Sequence, residues 1–174
     1  MEEEEKMEVE NALKKAIMVE KAAMKKYMEY AKATKDVSGK NMFVTLALDE
    51  WDHMSILEKQ LDHISGSNSW SRTEIPKSEI ELLVPNLKKT KTRNNGNSGV
   101  SDLGALSTAL REEREANEYY LKQAGLMTDA AAKKMYLRLA EMEDAHYQII
   151  EAEIDAIKGN GFWLGVPEFT MDGA

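Results

Sequence analysis

Six side chains pose the chemical question. Glu20, Glu50, His53, Glu113, Glu143 and His146 occupy positions where helical apolar stripes would otherwise continue, Glu20 between Ile17 and Met24, for example, and Glu143 and His146 between Leu139 and Ile150. Residues three apart on a helix share a face, so Glu50 with His53, and Glu143 with His146, each form a pair able to converge on one ion. Burying a single carboxylate without a partner is costly, and four together repel one another. Something cationic should sit among them, and two divalent metals supply four positive charges against four carboxylates.

Long helices must carry such residues, and the composition supplies them. Of the 174 residues 31% are charged and 7% aromatic, with 11 Met and 3 Pro, a usage that favours helix over sheet. An all-α chain of one domain is expected from this length. The chain has no cysteine, which excludes disulfides, Cys-ligated zinc and iron–sulfur clusters. A net charge of -8 removes the electrostatic drive for nucleic-acid binding. No stretch approaches about 18 uninterrupted apolar residues. Met1 is followed by Glu2 to Glu5, the opposite of a basic signal-peptide start. The expectation is a cytoplasmic protein that binds neither nucleic acid nor membrane.

Periodicity places four long helices at about 7–36, 40–64, 102–124 and 129–158. The first carries Val9, Leu13, Ala16, Ile17, Met24, Tyr27 and Ala31 on one face, and the second Phe43, Leu46, Ala47, Met54, Leu57, Leu61 and Ile64. Asp36-Val37-Ser38-Gly39 reads as the turn between them, Gly125 as the stop of the third helix, Thr128 as the N-cap of the fourth and Gly159 as its stop. Residues 65–101 form a long crossover rich in Ser, Asn, Gly and Lys, in which Ser78 to Leu83 has room for a turn or two of helix. Residues 159–174 are a C-terminal tail. Helices joined short, long, short describe a four-helix bundle with one crossover.

The sequence also repeats itself. A shift of 93 residues pairs Ala16 with Ala109, Glu20 with Glu113, Ala23 with Ala116, Tyr27 with Tyr120, Leu46 with Leu139, Glu50 with Glu143, His53 with His146 and Ile64 with Ile157. The chain has only 3 His, and two of them match in this one register together with both Glu pairs and both tyrosines. Two related hairpins imply a pseudo-two-fold axis, and whatever lies on that axis is contacted once by each half.

Glu20 with Ala23 and Tyr27, Glu50-Trp51-Asp52-His53, Glu113 with Ala116 and Tyr120, and Glu143-Asp144-Ala145-His146 together resemble the metal-binding helices of the rubrerythrin branch of the ferritin-like superfamily. The resemblance covers about 115 residues in the four helices and implies a single ferritin-like domain over 1–174. It implies two bound iron ions, with manganese as the alternative metal. Glu50 and Glu143 would bridge them, Glu20 and His53 would complete one ion, and Glu113 and His146 the other. The implied activity is oxidation of the metal pair by peroxide or oxygen, with electrons from an external donor. A ferroxidase, and a structural or iron-sensing module without turnover, are the alternatives. Two features depart from the family pattern: there is no cysteine for a rubredoxin-like iron domain, and Ala116 stands where an extra Glu usually follows the third-helix ligand.

The remaining candidates carry weaker signals. Tyr27 and Tyr120 lie two turns from Glu20 and Glu113, so their hydroxyls could reach the cluster as catalytic groups or simply be satisfied core hydroxyls. Asp49 precedes Glu50 and could accept a hydrogen bond from the ring of His146 across the bundle. A surface aspartate is the favoured reading, and its repeat partner is Met142. His63 has no Glu at ligand spacing and should be exposed. Lys88, Lys89, Lys91 and Arg93 read as a solvated basic loop. The apolar run Gly161 to Phe169 should dock on a bundle, and a homodimer using this tail is expected.

Overall fold

The computed structural model describes residues 2–72, 74–89 and 99–164. The four long helices are α1 (Glu3–Ala33), α2 (Val37–Ser67), α4 (Leu103–Leu126) and α5 (Ala130–Asn160), with a short α3 (Glu79–Leu83) in the crossover. α1 packs along α2 and α4 along α5, so the bundle consists of two hairpins laid face to face. The protein is an all-α ferritin-like bundle. Among the described residues no helix is long and apolar enough to cross a membrane.

Apolar residues bracket the middle of the bundle. One cluster gathers Phe43, Leu46, Leu106, Ile149, Ile154 and Trp163. The other gathers Leu13, Leu57, Ile64, Tyr120, Tyr136 and Leu139. The polar stripe residues lie at the mid-helix level between these two ends, which keeps water from reaching them along the bundle axis.

Helix ends differ from the sequence expectation where a neighbouring side chain offers a better cap. Asp36 accepts the N–H groups of Ser38 (2.8 Å) and Gly39 (3.4 Å), so α2 starts at Val37, and of the expected turn residues Val37, Ser38 and Gly39 lie in its first turn. Asp129, not Thr128, caps α5, taking the N–H groups of Ala131 at 2.7 Å and Ala132 at 3.0 Å. Gly125 lies inside α4 and Gly159 inside α5. The stop of α5 is Gly161, whose φ of +88° is a left-handed conformation open to glycine.

Ser78 and Glu81 form a capping box that starts α3. Arg138 of α5 holds this stretch of the crossover, pairing with the Glu81 carboxylate and donating to the Pro76 carbonyl at 2.8 Å. The crossover therefore packs on the bundle through buried Ile80 and Leu83. At the other end Trp163 and Leu164 fold back into the core of their own chain. Trp163 lies so close to α2 that a Cβ at Gly39 would come within 2.5 Å of its ring. The rest of the tail, the basic residues Lys91 and Arg93 and the side chains of Lys88 and Lys89 lie outside the described residues.

Candidate metal centre

Each hairpin contributes three of the six expected side chains, and the fold brings all six together. Glu20 and Glu113 come from α1 and α4, Glu50 and His53 from α2, and Glu143 and His146 from α5; the most exposed of them, Glu113, is 4% accessible. The two imidazoles stack as counterparts, with ring centroids 5.2 Å apart and planes 13° from parallel. Nδ1 of His53 lies 3.3 Å from Glu20, 3.3 Å from Glu50 and 3.1 Å from Glu143. Nδ1 of His146 lies 3.2 Å from Glu50 and 3.5 Å from both Glu113 and Glu143. Two four-residue groups result: Glu20, Glu50, His53 and Glu143, and Glu50, Glu113, Glu143 and His146, each offering ligand atoms within 4.8 Å of one another. Glu50 and Glu143 belong to both.

The donor set suits hard or borderline divalent ions, with three carboxylates and one imidazole in each group. Glu50 Oε2, Glu143 Oε1 and His146 Nδ1 are buried and make no well-formed hydrogen bond among the described residues. Buried polar atoms of that kind are rare in a folded core, and a shared cation is a partner that would satisfy all three.

Charges inside the cluster are balanced by protons in the metal-free chain. Burial opposes ionisation of the imidazoles, yet the facing carboxylates, Glu143 for His53 and Glu113 for His146, raise both well above the usual histidine range. Burial likewise pushes Glu50 and Glu143 upward, but the two imidazoles outweigh it and leave both carboxyls lowered. Glu20 and Glu113 are raised well above the usual carboxylate range, first by burial and then, among the groups that raise them, by the Glu143 charge. The imidazoles are thus shifted toward their charged form beside Glu50 and Glu143, and the two outer glutamates toward their neutral form.

The tyrosines reach the cluster across the bundle. Tyr27 of α1 donates to Glu113 of α4, and Tyr120 of α4 donates to Glu20 of α1. Each hydroxyl serves the opposite hairpin's glutamate, not that of its own helix. Burial, with the charges of Glu113 and Glu50, raises Tyr27 well above the usual phenol range. Asp49 is 6% accessible, so it is not a surface residue; its Oδ2 lies 3.2 Å from Nε2 of His146. His63 is exposed, as expected.

A cavity of about 640 Å³ opens between α1 and α4 and reaches Glu20, Glu50, Glu113 and Glu143. The repeat-related Ala23 and Ala116 line it, and a side chain longer than a methyl at either position would narrow the approach. A larger cavity of about 840 Å³ lies between the crossover and α5, lined by residues such as Gln60 and Arg138, and touches none of the six.

One buried acid was missed. Glu153 of α5 is 1% accessible and accepts the N–H of Leu164 at 2.8 Å. Burial raises its carboxyl to about 8. It sits three residues after Ile150 on the same stripe that reveals Glu143 and His146, and that position was the available signal.

A four-helix bundle whose core joins two Glu/His groups through shared glutamates defines the ferritin-like class of carboxylate metal proteins. The sequence profile of the rubrerythrin family matches residues 11–154, and the chain belongs to that family. No curated protein and no solved structure matches the chain.

Proposed function

We propose that this protein is a non-haem di-iron oxidoreductase that reacts with peroxide or oxygen and receives electrons from an external donor. The observation that carries the reading is the pair of buried ligand groups sharing Glu50 and Glu143 at the inner end of a cavity. Glu50 and Glu143 would be shared by both ions, Glu20 and His53 would help hold one, and Glu113 and His146 the other; iron is the expected metal and manganese the alternative. Bound iron would supply a ferrous–ferric couple, since hard carboxylate ligands stabilise the oxidised ion.

The chain's own residues do the rest. Tyr27 and Tyr120 hold the outer glutamates through their hydroxyls and fix which oxygen of each remains free to ligate. Ala23 and Ala116 leave the approach between α1 and α4 wide enough for a small oxidant. Apolar layers above and below exclude bulk water. The 174 residues contain no cysteine to build a second iron centre, and a separate donor fits that composition.

The test is anaerobic Fe(II) loading followed by stopped-flow mixing with H2O2 and, separately, O2. Two irons per chain and donor-coupled peroxide consumption are expected. Accumulation of ferric product would replace this reading by ferroxidase activity, and metal uptake with neither outcome would leave a module without turnover. Ligand roles have their own check. Glu50→Gln should lose both ions together, whereas Glu20→Gln and Glu113→Gln should each retain about one ion.

A further inference from the structure

The internal repeat fails at one position beside the cluster. The shift that carries Glu50 onto Glu143 and His53 onto His146 carries Asp49 onto Met142. Both side chains are buried. Both imidazoles turn Nδ1 toward the glutamates, leaving Nε2 on the outer side of each ring. For His146 that nitrogen lies 3.2 Å from Asp49 Oδ2. For His53 it is buried with no hydrogen-bond partner among the described residues. A methionine thioether is only a weak acceptor, so the residue in the equivalent place offers little to replace a carboxylate.

The other groups described around the cluster come in matched pairs. Glu50 and Glu143 are shared, Tyr27 and Tyr120 serve one outer glutamate each, and the two rings stack as counterparts. A carboxylate accepting the outer imidazole N–H fixes the tautomer with its lone pair on Nδ1, locks the ring plane and increases ligand basicity. His146 has that support and His53 lacks it.

We infer that Asp49 is a positioning residue that makes the two ion positions unequal. The position of Glu113 and His146 is the tighter one, and the position of Glu20 and His53 holds the more readily exchanged ion. This inference rests on the two-metal reading above. Its chemical content is one resident divalent ion and one labile one, held by the same two bridging carboxylates.

The experiment isolates each position with a variant that removes the other. Glu20→Gln leaves the position of Glu113 and His146, and Glu113→Gln leaves that of Glu20 and His53. Metal-free full-length protein is titrated anaerobically with Co(II), followed by ligand-field absorption and by equilibrium dialysis. Loss of such an outer partner typically costs about 10- to 100-fold in metal affinity, so Co(II) should bind Glu20→Gln tighter than Glu113→Gln by roughly that factor. Adding Asp49→Asn should weaken the Glu20→Gln protein by about 10- to 100-fold and change the Glu113→Gln protein by less than about twofold. Met142→Asp should tighten only the Glu113→Gln protein. A new buried carboxylate there risks unfolding the chain, and the near-isosteric Asp49→Asn arms decide the matter without it, with circular dichroism confirming that each variant is folded. Proton NMR of the Co(II) forms adds a readout that packing alone would not move: a slowly exchanging, paramagnetically shifted imidazole N–H in Glu20→Gln that exchanges fast after Asp49→Asn.

Equal affinities in the two backgrounds, or an Asp49→Asn loss of the same size in both, would overturn the inference and leave the two-metal site standing. Failure of the unsubstituted chain to take up two Co(II) would overturn the two-metal reading itself, and this inference with it.

Discussion

Glu153→Gln should make the metal-free protein more stable, by an amount that grows with pH. The Glu153 carboxyl is buried against the start of the tail, accepts the Leu164 N–H, and is raised by burial from an ordinary 4.5 to about 8. A raised folded-state value means that the group's contribution to stability is complete below about 4.5 and is lost as pH rises through about 8. At about 1.4 kcal/mol per pH unit, the loss amounts to about 2.5 kcal/mol between pH 5 and 7 and about 1.4 kcal/mol more by pH 9. Glutamine keeps the carbonyl acceptor for Leu164 and has no proton to lose. The two proteins should therefore melt close together at pH 5 and separate by of the order of 10 °C at pH 9, with the variant higher. Thermal unfolding followed by circular dichroism, in chelator and at pH 5, 7 and 9, measures this. Melting curves that stay parallel across that range would show that Glu153 ionises freely, and the account of its burial would be wrong.

Gly39→Ala should force Trp163 away from α2, because the added methyl would lie 2.5 Å from the indole ring and 2.8 Å from Thr34 Cγ2. A cost of about 1–3 kcal/mol and a red-shifted tryptophan emission are expected. Tyr27→Phe and Tyr120→Phe should each cost about 1–3 kcal/mol by leaving a buried glutamate without its donor, read by denaturant unfolding of the metal-free protein. Loading with two divalent ions near pH 7 should release more than two protons, since His53, His146, Glu20 and Glu113 all favour their protonated forms without metal. Calorimetry in two buffers of different ionisation enthalpy counts them.

The cluster was legible because the chemistry contradicts the pattern around it: a Glu or His on an apolar stripe is conspicuous, and the repeat marks each one twice. The bundle followed from the same periodicity. Side-chain reach across the bundle carries no such mark. Spacing alone relates Tyr27 to Glu20 on its own helix, whereas the packed bundle sends its hydroxyl to Glu113. Asp49 stands off the apolar stripe and reads as solvated until α5 is laid beside α2. Thr128 and Asp129 are both good caps, and only the backbone path chooses between them. Simple repulsion among four inward carboxylates suggests that every Glu→Gln change would stabilise the metal-free chain. The imidazoles alter that: Glu50 and Glu143 are held ionised by His53 and His146, so removing either charge should destabilise, while Glu20→Gln and Glu113→Gln should be neutral or favourable.

Both ligand groups straddle the two hairpins: the one built on Glu20, Glu50 and His53 borrows Glu143, and the one built on Glu113, Glu143 and His146 borrows Glu50. A solitary hairpin with this sequence would present three ligands to water and complete no group. Two copies of one hairpin, related by a two-fold axis, would complete both. The present chain has the form of such a dimer with its halves joined end to end by the crossover. Covalent joining frees the two halves from strict identity, and Asp49 opposite Met142 is a position where they differ.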